Sequence, residues 1–246
     1  MGLSIAMKIN FPLLALAVGA FAIGTTEFSP MGFLPEIAND LSVSIPQAGL
    51  LISAYAVGVM IGAPLMTLWL ARFPKKTALI LLMAIFTIGN VLATVAPDYM
   101  SLMGARLITS LNHGAFFGLG SVVAASVVPK DKQASAVAMM FMGLTIANIG
   151  GVPLATWLSQ NTSWRMAFAA ISILGIMTML ALWKALPQDH DVVKPNVAKG
   201  LRVLTRAPVV LALLTTVMSA AQCLRYIPTL LRVYTYLCRH HRKPLP

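Results

Sequence analysis

Residues 11–34 read FPLLALAVGAFAIGTTEFSPMGFL, an apolar stretch with a single carboxylate, Glu27. A helix needs about twenty apolar residues to cross a hydrocarbon core of roughly 30 Å. A charged side chain at that depth is costly, and it usually faces the interior of a helix bundle or a water-filled cavity. The stretch therefore predicts a transmembrane helix that carries an acid with a functional role.

The composition of the chain is that of a membrane protein. Hydrophobic residues make up 58% of the 246 positions and charged residues only 10%, whereas a soluble domain averages about 25% charged residues. The net charge of +11 raises the question of nucleic acid, but Lys and Arg are concentrated in alternate segments between apolar runs. That distribution marks the cytoplasmic loops of a membrane protein. We expect the lipid bilayer as a partner and no nucleic acid.

Six apolar runs are long enough to cross a bilayer, and linkers rich in Lys and Arg alternate with acidic or neutral linkers. The runs are residues 11–34, 48–71, 77–96, 100–128, 134–158 and 165–186. The basic linkers are 72–76, 129–132 and 187–206, and the others are 35–47, 97–99 and 159–164. This pattern predicts an all-α integral membrane protein with six crossings and a cytoplasmic N-terminus.

The sequence divides into five parts, of which the last is unusual. They are a cytoplasmic N-terminus (1–10), a bundle of six transmembrane helices (11–186), a cytoplasmic linker (187–206), the start of a seventh helix (207–221) and a tail (222–246). The tail holds both cysteines, three of the five tyrosines, five basic residues and no acid. We expect residues after about Ala221 to be read out of frame.

Polar residues inside the runs are the candidate site. Glu27 lies about seven residues before the outer end of the first run, and Arg106 about six residues into the fourth, so a rise of about 1.5 Å per residue places both at similar depth. We expect them to face one cavity and to compensate each other's charge. His113 lies two turns deeper on the face of Arg106. Asn112 and Asn148 either line this cavity or make interhelical hydrogen bonds, which is the more common role.

Glycines mark close contacts between helices. Gly58 and Gly62, like Gly114 and Gly118, are four residues apart and predict helix packing. The fifth run holds a further group, which either packs closely or forms a hinge at the proline. It consists of Gly143, Gly150, Gly151 and Pro153.

Five segments together resemble the major facilitator superfamily, in particular its bacterial drug:proton antiporter branch and the arabinose-efflux (YdhP-like) group. They are GTTEFSPMGFLPEIA (24–38), GAPLMTLWLARFPKK (62–76), RLITSLNHGAFFG (106–118), GLTIANIGGVPLATW (143–157) and SWRMAF (163–168). The resemblance covers about residues 7–221 and implies the N-terminal six-helix half of a two-half fold, with the second half truncated.

The resemblance also implies roles for individual residues. It implies that Arg106 takes part in proton coupling, that Glu27 is a protonation or substrate site, and that 143–153 is the antiporter-type helix. Arg72, Lys75 and Lys76 fall in the conformational loop between spans two and three. Ala71 stands where the family usually has an Asp, and Thr109 and Ser110 replace a Gln and a Gly, so the loop's Asp-dependent charge relay is not expected here.

The leading hypothesis is proton-coupled efflux of a small organic compound, sugar or drug-like, by alternating access in a bacterial inner membrane. The expected partners are the substrate and protons. The truncated chain is expected to be incomplete or inactive alone. Self-association of two half-transporters is therefore a further expectation. The alternative is a non-transporting membrane fragment or interaction subunit. An enzyme is not expected, because we find no nucleophile–base arrangement, no metal cluster and no nucleotide-binding loop, and no cofactor is expected.

The topology is testable by labelling single cysteines from outside intact cells, after Cys223 and Cys238 are replaced by Ser. Residues 40 and 98 are expected outside, and 75, 131 and 195 inside. An impermeant maleimide should modify Asp98→Cys but not Lys75→Cys. The reverse labelling pattern would contradict the predicted orientation.

Overall fold

A computed structural model describes residues 10–187 and residue 211. Within 10–187 the regular structure is helical throughout. The α-helices are α1 (Phe11–Gly32), α2 (Leu34–Asp40), α3 (Ile45–Leu70), α4 (Lys75–Thr94), α5 (Tyr99–Ser110), α6 (His113–Ser126), α7 (Gln133–Ile146), α8 (Val152–Asn161) and α9 (Trp164–Ala185). The expected seventh helix and tail lie outside the described residues, apart from Leu211.

The prediction of six transmembrane spans is confirmed for the described part of the chain. Six helical segments there are long and apolar enough to cross a membrane. Spans one, two, three and six are single helices, α1, α3, α4 and α9. Span four consists of α5 and α6, and span five of α7 and α8 with the turns that flank α7. A hydrogen-bonded helix is the form a lipid-exposed chain takes, because it satisfies every backbone polar group internally.

Four of the six spans begin at a polar cap outside the apolar run. The side chains of Asn10, Ser44, Asp98 and Ser163 each accept a hydrogen bond from a backbone N–H in the first turn. These bonds satisfy donors that have no partner within the helix. The caps explain why span boundaries follow the runs read from the sequence to within a few residues.

The structure departs from the apolar pattern at three places. The first linker contains the short helix α2, which starts next to Pro35. Span four is interrupted at Leu111 and Asn112, between α5 and α6. Span five widens into a π-helical turn at Ala147–Gly151, directly before Pro153, whose missing N–H and ring disturb the regular ladder.

Helix α1 lies in the middle of the bundle, in contact with α3, α6, α7, α8 and α9. Its contact with span five depends on glycine. A Cβ on Gly143 would lie 2.0 Å from the carbonyl oxygen of Ala17, and one on Gly151 would lie 2.3 Å from Oγ1 of Thr25. Close packing is therefore the role of these two glycines. Gly150, in contrast, has nothing within 4 Å of an added Cβ.

A buried hydrogen bond joins α1 to α4. Oγ1 of Thr26 donates to Oδ1 of Asn90 at 2.7 Å, and Nδ2 of Asn90 donates to the carbonyl of Phe86 in its own helix. Both side chains are almost fully buried, so each buried polar atom of this pair has a partner.

Asp40 and Arg165 together join the ends of three helices. Its Oδ2 accepts hydrogen bonds from Nη1 of Arg165 and from Nε1 of Trp164 at the start of α9. Nη2 of Arg165 donates to the carbonyl of Ala96, just beyond α4, at 2.9 Å. The hydrogen bond from Arg165 is the main cause that holds the pKa of Asp40 below its usual value.

The different surroundings of Gly143 and Gly150 allow a test with two matched variants. Gly143→Ala is expected to destabilise the protein by about 1–3 kcal/mol, because the added methyl group meets backbone atoms that cannot move aside. Gly150→Ala is the control and is expected to be neutral or slightly stabilising, since Ala favours helix. Thermal unfolding in detergent measures both. Equal effects of the two substitutions would contradict the packing role.

The contact at Asp40 predicts a pH-dependent difference in stability. Asp40→Asn should lower the free energy of unfolding by about 0.2–1 kcal/mol at neutral pH, the range for exposed ion pairs. Because the pKa of Asp40 is lowered in the folded state, this difference is fully present above the unfolded value of about 3.9 and disappears as the pH falls through the folded value.

The measurement is chemical unfolding of wild type and Asp40→Asn between pH 3 and 7, with Asp131→Asn as the control for loss of a surface carboxylate. A difference between wild type and Asp40→Asn that stays constant down to pH 3 would contradict the ionic contact.

Candidate functional site

Arg106 is the most deeply buried charge in the described chain. It lies on α5 with 1% of its surface exposed. Nη1 donates to the carbonyl oxygen of Thr26 on α1 at 2.9 Å, while Nε and Nη2 have no partner. The guanidinium carbon lies 4.2 Å from the ring centroid of Tyr55 and 6.0 Å from that of Phe168. A permanent positive charge is therefore held between helices α1, α3, α5 and α9.

Glu27 directly follows Thr26, whose carbonyl oxygen accepts the hydrogen bond from Arg106. Its side chain is 27% exposed, and Oε2 lies 3.8 Å from Nε2 of His113. His113 is the first residue of α6. Span four therefore contributes an imidazole beside the carboxylate of span one.

Tyr55 joins the two halves of the site, and the sequence reading missed it. Its ring lies under the guanidinium of Arg106, and its hydroxyl lies 3.2 Å from Nδ1 of His113. The signal available in the sequence was a hydroxyl-bearing aromatic residue in the middle of span two. Glu27, Tyr55, Arg106 and His113 form one group, which we call the Glu27 cluster.

The direct ion pair expected between Glu27 and Arg106 is not formed among the described contacts. Their matching depth brings them to the same cluster, where the two charges interact electrostatically. However, Arg106 uses Nη1 for the backbone carbonyl of Thr26, and the carboxylate of Glu27 lies against His113 instead. Two nitrogens of Arg106, Nε and Nη2, are thereby left to donate to another acceptor.

The two asparagines predicted with this site have different surroundings. Asn112 lies at the junction of α5 and α6, fully buried, with Nδ2 and Oδ1 both without a partner. Asn148 lies in the π-helical turn, exposed, and Nδ2 donates to the carbonyl of Leu144 in the same span at 3.1 Å. The described contacts do not connect either asparagine to the Glu27 cluster.

The three basic residues between spans two and three each have a separate environment. Nε of Arg72 donates to the carbonyl of Trp69 at 2.9 Å. Nζ of Lys76 donates to the carbonyl of Leu186, just after α9, at 2.7 Å. Lys75 lines a cavity described below. Lys76 thus fastens the end of span six to the start of span three.

The Glu27 cluster has the groups needed to hold and pass a proton. A carboxylate and an imidazole can each take up and release a proton, whereas a guanidinium stays charged. Among residues 10–187, no group of three or more His, Cys, Asp and Glu side chains is placed to bind a metal ion. The chemistry that the described arrangement offers is reversible charge neutralisation inside a membrane bundle.

Comparison of the sequence with known proteins shows the family of this chain. Residues 16–237 match the family model of the Major Facilitator Superfamily. The chain is 64% identical over 231 residues to the inner membrane transport protein YdhP of Escherichia coli (strain K12), which is 94% of this chain and 58% of YdhP. It is 31% identical over 176 residues to the probable sugar efflux transporter of Pasteurella multocida (strain Pm70), covering 71% of this chain and 43% of that protein.

Comparison with solved structures gives the same fold as the family match. The crystal structure of the peptide transporter POT in complex with sulfate has a TM-score of 0.65 and 12% identity, and the match covers 88% of this chain and 46% of that chain. The chain spans about half the length of the relatives it matches. The family match continues to residue 237, into the segment 222–246, whose predicted change of reading frame stays a prediction.

These matches confirm the resemblance inferred from the five sequence segments. The chain is a multi-pass membrane protein, and it belongs to the Major Facilitator Superfamily.

Proposed function

We propose that this bundle carries the proton-coupling half of a transporter that exports a small organic compound, sugar or drug-like, in exchange for protons. The observation that carries the proposal is the contact of a membrane-embedded carboxylate, Glu27, with His113 at 3.8 Å. Beside it lies Arg106, whose nitrogens Nε and Nη2 have no hydrogen-bond partner. The name of the Pasteurella relative, a probable sugar efflux transporter, supports the direction and the substrate class.

The proposed coupling depends on the net charge of the Glu27 cluster. With Glu27 ionised, its negative charge balances that of Arg106. When Glu27 takes up a proton, the net charge of the cluster becomes more positive by one. The cluster then attracts a cation, or the polar groups of a bound substrate, less strongly. A proton and a substrate therefore compete for one carboxylate. His113 and Tyr55 offer the path by which the proton reaches or leaves it.

Alternating access needs a second helical body that moves against this one. Spans two and five are the proposed contact surface. Only 22% of the residues in their apolar windows are buried, compared with 39–56% in the other four spans. We propose that these faces meet the second half of a longer protein or a second copy of this chain. We also propose residence in a bacterial inner membrane with the N-terminus in the cytoplasm, in agreement with the basic linkers.

The proposal predicts that substrate binding displaces a proton from Glu27. The chain is placed in lipid nanodiscs in weakly buffered solution with a pH-sensitive dye, and arabinose or ethidium is added as the test compound. Wild type should release close to one proton per bound molecule. Glu27→Gln should release none, since the amide has no proton to exchange in this range.

Glu36→Gln is the matched control, because it makes the same chemical change on α2 outside the spans. It should leave proton release intact. Proton release of normal size from Glu27→Gln, with binding intact, would refute the role of Glu27 in coupling.

A further inference from the structure

A cavity lies away from the Glu27 cluster, at the end of the bundle that carries the basic loop. Its volume is about 480 Å³, and it lies between the end of α3, the start of α4 and the face of α6. Its walls are apolar apart from Thr67 and Lys75, and include Leu70, Leu82 and Leu119. No member of the Glu27 cluster lines it.

Gly118 keeps this cavity open. The sequence pairs it with Gly114 as a helix-packing motif, but the two glycines differ. A Cβ on Gly114 would lie 2.4 Å from Cβ of Ala63, as helix packing requires, whereas nothing lies within 4 Å of a Cβ on Gly118. Gly118 lines the cavity, so its missing side chain leaves space for a ligand instead of a neighbouring helix.

The rim of the cavity is positively charged. Lys75 is part of the lining, and Arg72 and Lys76 lie within three residues of it along the chain. There is no Asp or Glu between residues 41 and 97. Trp69 is 42% exposed beside the guanidinium of Arg72, and such aromatic residues are enriched where a membrane protein meets the headgroup region.

We propose that this cavity binds one acyl chain of an anionic phospholipid, with the lipid phosphate held by Lys75 and Arg72. Hydrocarbon matches the apolar walls, which offer a soluble polar metabolite few hydrogen-bonding partners. The surplus of positive charge selects an anionic over a zwitterionic headgroup, because each basic residue near the surface attracts anionic lipid. Gly118 and Val122 are exposed along the same face of α6, which gives a lipid chain access along the helix.

The test is native mass spectrometry of the 246-residue chain, released from nanodiscs made of equal parts phosphatidylglycerol and phosphatidylethanolamine. Gly118→Leu places a side chain in the cavity, starting from a Cβ that has nothing within 4 Å of it. It should reduce retained phosphatidylglycerol by about tenfold or more, as expected when two or more methylene groups lose their burial. Lys75→Gln should reduce the preference for phosphatidylglycerol by about fivefold.

Gly104→Leu is the control, because Gly104 on α5 also has nothing within 4 Å of an added Cβ. It should retain lipid like wild type, and size-exclusion chromatography and circular dichroism verify that all variants fold. Equal lipid retention by Gly118→Leu and Gly104→Leu would overturn the proposal, as would equal retention of both lipids by wild type. If Gly118→Leu abolishes a dimer and leaves bound lipid unchanged, a second copy of the chain occupies the cavity and the proposal is wrong.

Discussion

The burial of Arg106 is the constraint on which the centre of this bundle depends. A guanidinium stays charged in proteins, and moving such a charge out of water costs several kcal/mol unless its surroundings compensate. The compensation comes from three helices. Span one provides the Thr26 carbonyl and the charge of Glu27, span two the ring of Tyr55, and span six the ring of Phe168. The arrangement of these helices is therefore tied to one side chain.

The remaining groups of the site come from spans one and four. His113 is the first residue of α6 and lies next to Glu27. Glycines in span five let this span approach α1 closely. Gly143 lies against the backbone of Ala17, and Gly151 lies against the side chain of Thr25. Larger side chains at these two positions would push away α1, the helix that carries Glu27.

The six spans were predictable from sequence, because apolar length is a local property. The choice of Glu27 and Arg106 as candidate site residues also rests on a local property, the cost of an intramembrane charge. The shared location of Glu27 and Arg106 also followed from their depth. Their actual partners did not. Depth along a helix axis says nothing about rotation around it, so the carboxylate's contact with His113 and the position of Tyr55 depend on how whole helices pack.

The central claim is that Glu27 and Arg106 belong to one electrostatically coupled site although they form no direct ion pair. A double-mutant cycle with Glu27→Gln and Arg106→Gln, measured by reversible unfolding in mixed detergent, tests it most directly. Glu27→Gln alone leaves Arg106 as an uncompensated buried charge. The account predicts that the double variant is less destabilised than the sum of the single variants, by at least about 0.5 kcal/mol. Effects that add to within about 0.3 kcal/mol would contradict it.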